Sequence, residues 1–497
     1  MQISDAERER LENVHPPDWV NPVAADKYHL VVIGGGTGGL VSAAIAAGLG
    51  ARTALIERHW MGGDCLNVGC VPSKALLRAA RAWKEAETSR ERFGGPEAAG
   101  SRDFGLAMRR LQSIRASMSA VDSAARYRDM GVDVFLGHAQ FSARDAIDVE
   151  GQRLTFRRAV VATGTRPAIP EIAGLAETGY LTNETIFSLT EVPRRLVVIG
   201  GGPIGTELAQ AFVRFGSDVT LVETGAGILG KDDPEAAAIV AGVLTREGVR
   251  IVTRARVTSV DRRASVVVSY TGDGGGGEVE TDTILVATGR SPNLSDLGLD
   301  VAGIEYDERK IITDDRLRTS NHSIYAVGDI TGRAPFTHIA DAHARMVVQN
   351  ALFFGRKKVT DLVIPWCTYT QPELAHVERD TGEPDGRVRE LETITIPLRE
   401  VDRARLDGDT QGFLRVRHER GSDRIVSATL VADHAGDVIG QISMAMGNGL
   451  GLSAMGATIF PYPTVAEVIR KAADAWRRTK LSPRVRELFR FYFRMLR

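Results

Sequence analysis

Cys65 and Cys70 are the residues of this chain best suited by type and spacing to do chemistry. Leu66-Asn67-Val68-Gly69 separates them, and Val71-Pro72-Ser73-Lys74 follows. On a regular helix side chains five apart diverge by about 140°, so a bond between the two sulfurs needs a distorted turn, which Gly69 permits. Pro72 falls in the first turn of a helix. A thiolate at a helix N-terminus, with Lys74 close by, is acidified and reactive near neutral pH. The pair is therefore a candidate dithiol–disulfide couple. A metal site is the rival reading, with His59 the only other local ligand type, and two unpaired buried cysteines are the third. Three cysteines in all are too few for a disulfide framework and fit a reducing cytosol.

Two further clusters could hold nucleotides. Gly34-x-Gly36-x-x-Gly39 follows an apolar run, Tyr28–Ile33, and opens an alanine-rich helical stretch at 40–49. A second strand at 53–56 ends in Glu57. The first glycine permits the tight turn, and the second lets the backbone approach a pyrophosphate. The third lets helix and strand pack closely, with the helix N-terminus toward the phosphates. Glu57 can accept hydrogen bonds from both ribose hydroxyls. The pattern recurs as a strand at 196–199, Gly200-x-Gly202-x-x-Gly205, a helix at 206–215, and a strand at 219–222 that leads into Glu223. One such motif is weak evidence, because glycine turns arise by chance. Two in full βαβ context make a duplicated dinucleotide-binding unit the main organising fact. At the second unit a carboxylate suits a 2′-hydroxyl and repels a 2′-phosphate, and no arginine lies between Glu223 and Gly230. NAD(H) is expected there over NADP(H).

These sites need a large scaffold. The 497 residues exceed one ordinary core, so roughly two to four domains are expected. Residues 1–27 are polar, carry Pro16, Pro17 and Pro22, and read as an extended arm. Helical stretches rich in Ala and Arg are expected at 72–87 and 104–130, and Gly272 to Gly277 reads as a flexible hairpin-type loop. From about residue 359 the texture turns to alternating strands, such as 393–396 and 413–416, which marks a separate α+β domain. Beyond residue 473, Ser482-Pro483 gives a cap and first turn. Val485, Leu488, Phe489, Tyr492 and Leu496 follow helical spacing, with Arg484, Arg486, Arg490, Arg494 and Arg497 on the remaining faces. This basic helix is expected to pack its apolar side on the preceding domain, and a membrane-surface or partner-binding helix is the alternative. A formal net charge of −1 gives no pull toward nucleic acid. No apolar run reaches the roughly 20 residues that span a bilayer, and the charged start argues against a secretory signal, so a cytoplasmic protein is expected.

At Gly62-Gly63-Asp64-Cys65-Leu66-Asn67-Val68-Gly69-Cys70-Val71-Pro72-Ser73-Lys74 the sequence resembles the pyridine nucleotide-disulfide oxidoreductases, such as lipoamide dehydrogenase, glutathione reductase and mercuric reductase. The later signatures of that family stand here as Ala162-Thr163-Gly164, Ala287-Thr288-Gly289-Arg290 and Tyr325-Ala326-Val327-Gly328-Asp329. The resemblance runs from about residue 28 to 473. It implies an α/β fold with two Rossmann-like dinucleotide-binding domains: an FAD domain at 28–164 and 290–356, and an NAD(P) domain at 165–289. A C-terminal α+β dimerisation domain at 357–473 would build a homodimer, and 474–497 would be the basic amphipathic helix. By the same resemblance Gly34, Gly36, Thr37, Gly39, Glu57, Gly63, Asp64, Ala139, Thr163, Gly164, Asp329 and Thr337 contact FAD. Gly200, Gly202, Gly205, Glu223 and Gly289 serve NAD(H). Cys65 would be the exchanging thiol and Cys70 the one facing the flavin, with Lys74 near the flavin edge and paired to Glu207.

The pattern departs from lipoamide dehydrogenase and glutathione reductase at one place. Their His-Pro-Thr-x-x-Glu stretch, whose histidine serves the exchanging thiol, stands here as Tyr462-Pro463-Thr464-Val465-Ala466-Glu467. Phe460-Pro461-Tyr462 is instead similar to mercuric reductase. A tyrosine with a pKa near 10 is a poor base at neutral pH, where histidine near 6.5 is well placed. Yet no cysteine-bearing domain precedes residue 28, and no vicinal cysteine pair stands near residue 497. Cys367, the remaining thiol, lies in an apolar strand-like stretch and reads as core. The expectation is an FAD-dependent enzyme of mercuric-reductase-like build. It would pass electrons from NADH through FAD to Cys65–Cys70 and on to a disulfide, a metal ion or another small acceptor, with no resident metal. Tyr462 and Glu467 join the catalytic set. Dihydrolipoyl dehydrogenase and a flavin-bound redox sensor are the alternatives.

Overall fold

The computed structural model describes residues 3–97, 100, 102–379 and 390–496. Arg497, expected on the last helix, lies outside the described residues. The chain divides into two compact units, residues 1–226 with 247–359 and residues 227–246 with 360–497.

In the first unit six strands form a sheet in the order β3-β2-β1-β6-β5-β4. They are β1 (Tyr28–Ile33), β2 (Thr53–Glu57), β3 (Val132–Leu136), β4 (Gln140–Ala143), β5 (Ala146–Val149) and β6 (Gln152–Val161). The strand Ile324–Ala326 also pairs with β6. β1 runs parallel to β2 and β6, with Val31 opposite both Ala54 and Ala159. Helices cover parallel strands of this kind on both faces, which is why β1 and β2 read as nearly unbroken apolar runs. The second βαβ unit follows, with strand Arg195–Ile199, helix Pro203–Phe215 and strand Asp218–Val222. Arg250–Val252 and Thr283–Val286 complete its four-stranded parallel sheet.

Three expectations are corrected in this unit. The arm at 1–27 is not extended throughout, because Asp5–Val14 is a helix whose cap, the Ser4 hydroxyl, accepts the Glu7 N–H at 3.2 Å. The prolines at 16 and 17 end this helix rather than forbid it. The stretch at 104–130 is broken into helices Phe104–Ser119 and Ala124–Asp129, because the Ser123 hydroxyl caps a new start by accepting the Arg126 N–H at 3.2 Å. The glycine-rich loop is narrower than expected: only Asp273 and Gly274 turn the hairpin, while Gly275, Gly276 and Gly277 pair with Gly272, Thr271 and Tyr270. A Cβ on Gly277 would meet the Tyr270 hydroxyl at 2.5 Å, so the bare backbone accommodates that ring.

The second unit is a five-stranded antiparallel sheet in the order Val363–Thr368, Glu373–Arg379, Ile425–Ala432, Phe413–Glu419, Leu391–Pro397. Helices Ala435–Gly447 and Glu467–Thr479 bury Val438, Ile442, Val468 and Ala472 in one core with Leu430 and Val377. Cys367 packs against the same core, as its apolar neighbours imply. Residues 227–246 belong to this unit, where Arg415 pairs with Asp233 at 2.6 Å and Glu235 at 2.5 Å. The region 474–497 is not one helix. Glu467–Thr479 runs past residue 474, and a separate helix, Pro483–Met495, starts at the Ser482 cap. No residue of that second helix is buried, which overturns the expected packing of its apolar side on this unit. Val468, Ile469 and Ala472 of the preceding helix fill the core of this unit instead.

Candidate active site

Both glycine fingerprints adopt the same local geometry. Gly34 has φ +103°, and a Cβ there would meet the Ala162 carbonyl oxygen at 2.4 Å. A Cβ on Gly39 would lie 1.8 Å from the Gly34 carbonyl oxygen, so helix Thr37–Gly48 can touch the turn only through a glycine. The second copy repeats both contacts at Gly200 and Gly205. The middle glycine differs in each copy: a Cβ on Gly36 has nothing closer than Gly63 Cα at 3.8 Å, and one on Gly202 nothing within 4 Å. That open space, in front of unpaired helix N–H groups, is where a pyrophosphate fits. Glu57 accepts the Gly35 N–H at 2.5 Å and the His59 N–H at 2.6 Å. Glu223 accepts the Gly201 N–H at 2.6 Å and the Gly225 N–H at 2.5 Å. Each carboxylate is thus held beside its glycine turn. The cradle fits FAD at the first copy and a nicotinamide dinucleotide at the second.

Other residues expected at the flavin lie along the seam where the chain leaves the first sheet and returns. Thr163 and Asn293 exchange hydrogen bonds at 3.0 and 2.8 Å, and strands Thr165–Pro167 and Arg290–Pro292 pair antiparallel just beyond Gly164 and Gly289. The Asp329 carboxylate accepts the Thr165 hydroxyl at 2.9 Å, and burial pushes its pKa up. Arg290 lies 3.0 Å from Asp64 and 4.0 Å from Asp329. Ala139 is buried in the core of the first sheet, in the turn between β3 and β4. Among the residues that sequence reasoning missed, Asn183 donates to Asp64 at 3.2 Å and to the Val68 carbonyl at 3.1 Å. It ties the redox turn to the segment after Gly164, and nothing local in Thr182-Asn183-Glu184 signals it.

The cysteines sit on two helices that meet at Gly69. Cys65 belongs to the short helix Gly63–Asn67, and Cys70 opens the helix Cys70–Phe93. A Cβ on Gly69 would meet the Asp64 carbonyl oxygen at 2.8 Å, so a glycine is what lets the turn fold back on Cys65. Both thiols are free, and each is hydrogen-bonded to the other. That bond lowers Cys70 to about 6, with help from Thr337 and the Lys74 ammonium and against the cost of burial. The same bond, with burial, pushes Cys65 up. Thr337 Oγ1 lies 3.4 Å from Cys70 Sγ at the start of the helix Thr337–Leu352. Lys74 Nζ lies 2.8 Å from the buried Glu207 carboxylate on helix Pro203–Phe215.

The loop between the cysteines is anchored from the N-terminal helix. Arg10 donates to the Asn67 side-chain carbonyl at 2.5 Å, and Arg115 donates to the Asn67 backbone carbonyl at 2.9 Å. Glu7 bridges the two guanidinium groups at 2.6 Å each. The signal that could have located this helix is Ser4-Asp5-Ala6-Glu7, a capping-box sequence.

Tyr462 and Glu467 lie in the second unit. The exposed Tyr462 hydroxyl donates to Asp402 at 3.2 Å, and that bond raises its pKa. Glu467 is buried; one carboxylate oxygen pairs with Arg470 at 3.0 Å and Lys471 at 3.6 Å. Its other oxygen is buried with no hydrogen-bond partner among the described residues. Asp402 has no counterpart in the expected site.

Residues 28–351 match the family model for pyridine nucleotide-disulphide oxidoreductases, and residues 364–473 match the dimerisation domain of that family. Relatives include mercuric reductase of Lysinibacillus sphaericus, 33% identical over 94% of this chain and 87% of its own. Dihydrolipoyl dehydrogenase of Staphylococcus aureus is also 33% identical, over 89% of this chain and 95% of its own. Among solved structures, a Cu(II) complex of the HOCl-induced flavoprotein disulfide reductase RclA from Escherichia coli superposes with a TM-score of 0.79 at 28% identity. It covers 91% of this chain and 100% of that one. LpdA from Mycobacterium tuberculosis gives 0.80 at 27% identity, with coverage of 91% and 100%.

Proposed function

The chain belongs to the pyridine nucleotide-disulphide oxidoreductase family, and from that premise we propose that it passes electrons from NADH to the Cys65–Cys70 pair and on to a soft metal ion or a small disulfide. It is an FAD-dependent enzyme with a dimerisation domain. When bound, FAD supplies the two-electron relay between nicotinamide and thiols. The chain's own residues do the rest. Gly36 and the helix behind it receive the pyrophosphate, and Glu57 binds the ribose of the adenosine. Glu223 selects the 2′-hydroxyl of NADH. The hydrogen bond from Cys65, with the Lys74 ammonium in support, keeps Cys70 a thiolate at neutral pH, and Glu207 holds that ammonium in place. Cys65, the less acidic thiol, keeps its proton until it reacts, losing it to water when a metal ion binds its sulfur or to the leaving thiolate when it attacks a disulfide.

Tyr462 carries the choice of acceptor. Its hydroxyl donates its one proton to Asp402 and keeps it, so it cannot act as a base at neutral pH. A base at this position is typically worth about 10²–10⁴-fold in dithiol exchange. A soft metal ion bound by two sulfurs needs no such base. A relative of similar fold binds Cu(II), which favours metal ions within the acceptor class. Equal identity to mercuric reductase and dihydrolipoyl dehydrogenase favours neither. In the homodimer we assign Tyr462 to the cysteine pair of the second copy.

The test is steady-state NADH oxidation with mercuric ion, cupric ion, lipoamide, glutathione disulfide, quinone and oxygen, on wild type, Tyr462→Phe and Tyr462→His. We expect a metal ion to be turned over faster than either disulfide, Tyr462→Phe to slow that reaction, and Tyr462→His to raise lipoamide turnover. Fast lipoamide turnover at neutral pH, undiminished in Tyr462→Phe, overturns the proposal. Slow turnover with every acceptor would make the protein a redox sensor instead.

A further inference from the structure

We propose that the helix Pro483–Met495 docks the protein on an anionic bilayer surface, lying in the plane of the headgroups. Ser482 caps it, its hydroxyl accepting the Val485 N–H at 3.3 Å, so the helix has a defined start. It then runs 13 residues without burying one of them. At about 100° per residue, the positions from Phe491 through Met495, Leu488, Tyr492 and Phe489 to Phe493 sweep an apolar arc of roughly 200°. These side chains are 47 to 69% exposed. Arg486, Arg490 and Arg494 form a single row along the opposite side, with Glu487 beside it.

This distribution fits one kind of occupant. A neighbouring helix covers a stripe of little more than about 100°, so a packed partner helix would leave half of the apolar arc in water. A bilayer interface wraps the whole arc, and phenylalanine and tyrosine are suited to it. The charge agrees. Residues 477–497 hold eight basic side chains and one acidic, in a chain whose net charge is −1. Arg484 and Arg486 stand in the first turn, where the helix dipole disfavours cations unless a negative surface faces them. Arg484 lies within the apolar arc and can reach outward along its stem. At 13 residues the helix is about 20 Å long, too short to cross a bilayer. Among the described residues no helix is long and apolar enough to do so.

The experiment is flotation of the full-length flavin-loaded protein with phosphatidylcholine vesicles, with and without about one third phosphatidylglycerol. Two variants run beside it: a chain ending at Leu481, and the triple substitution Arg486→Gln, Arg490→Gln, Arg494→Gln. Wild type should float with the anionic vesicles and little with the neutral ones. The triple variant should bind the anionic vesicles on the order of 100-fold more weakly, at about fivefold per arginine. The shortened chain should stay in the aqueous fraction, with flavin content and NADH oxidation unchanged. Equal partitioning of wild type onto both vesicle types overturns the proposal, as does undiminished binding by the shortened chain. A fall in oligomeric state on shortening, measured by light scattering, also overturns it and makes the helix an interface between copies.

Discussion

Replacing Arg10 by methionine should loosen the loop between Cys65 and Cys70, although residue 10 lies 55 positions before Cys65. The Arg10 side chain is only 3% exposed, and its guanidinium serves three neighbours. It pairs with Glu7 at 2.6 Å, donates to Asn67 at 2.5 Å and lies 4.8 Å from the centre of the Trp60 ring. Methionine keeps the stem and removes all three interactions. Glu7 loses least, because it retains Arg115 at 2.6 Å and is 21% exposed. Asn67 loses most: at 1% exposure its side-chain oxygen would be buried without a donor, at a cost of about 1–3 kcal/mol. The lost cation–π contact adds about 0.5–1 kcal/mol. The sum, about 1.5–4 kcal/mol, should raise the local opening constant of the helix Asp5–Val14 and the 61–69 loop by roughly 10- to 1,000-fold. Hydrogen–deuterium exchange resolved by peptide is the assay, because a chain of two units has no single unfolding free energy. Alkylation of Cys65 in the reduced protein should speed up in parallel, with FAD content preserved. Unchanged amide protection in both segments would refute the reasoning, since it would mean that packing alone holds the loop.

Three other outcomes are expected. Iodoacetamide labelling of Cys70 in the reduced protein should follow an apparent pKa of about 6, and Lys74→Met should move it upward. A profile at the ordinary thiol value would sink the assigned environment. Glu223→Ala should narrow the preference for NADH over NADPH, whose origin in repulsion and one hydrogen bond is worth on the order of 5- to 150-fold. A wild-type preference for NADPH would point instead to Arg254, whose N–H bonds the Gly225 carbonyl at 2.8 Å. His343, buried on the helix Thr337–Leu352 and lowered to about 4 chiefly by burial, should confer acid lability. Its folded pKa lies below the unfolded value near 6.5, so the unfolded chain binds more protons in between. Stability is full above about pH 6.5 and falls by up to about 3 kcal/mol as pH drops toward 4. Amide-exchange protection of the helix Thr337–Leu352, followed across that window, should lose its pH dependence in His343→Gln.

Much of the molecule was legible in the sequence because its signals are short-range. A glycine that must let helix touch strand, as Gly39 does against Gly34, leaves its mark within six residues. So does the Cys65–Cys70 turn, where Gly69 has to clear the Asp64 carbonyl. The family relationship, the two nucleotide units and the separate α+β texture after residue 359 follow from such local patterns. What only the tertiary structure decided are the polar contacts between distant segments. Asn183 reaches the redox turn from 115 positions away, and Arg115 meets Glu7 across 108. No periodicity encodes either partner, because a single buried hydrogen bond constrains one side chain at each end and leaves its neighbours free. The prolines after residue 15 suggested an extended arm, but the Ser4 cap and the burial of Arg10 and Val14 made a helix. The last helix is the opposite case. Its amphipathic pattern was plain in the sequence, yet only the fold revealed that the preceding helix fills the core and that the apolar face of the last one is left uncovered.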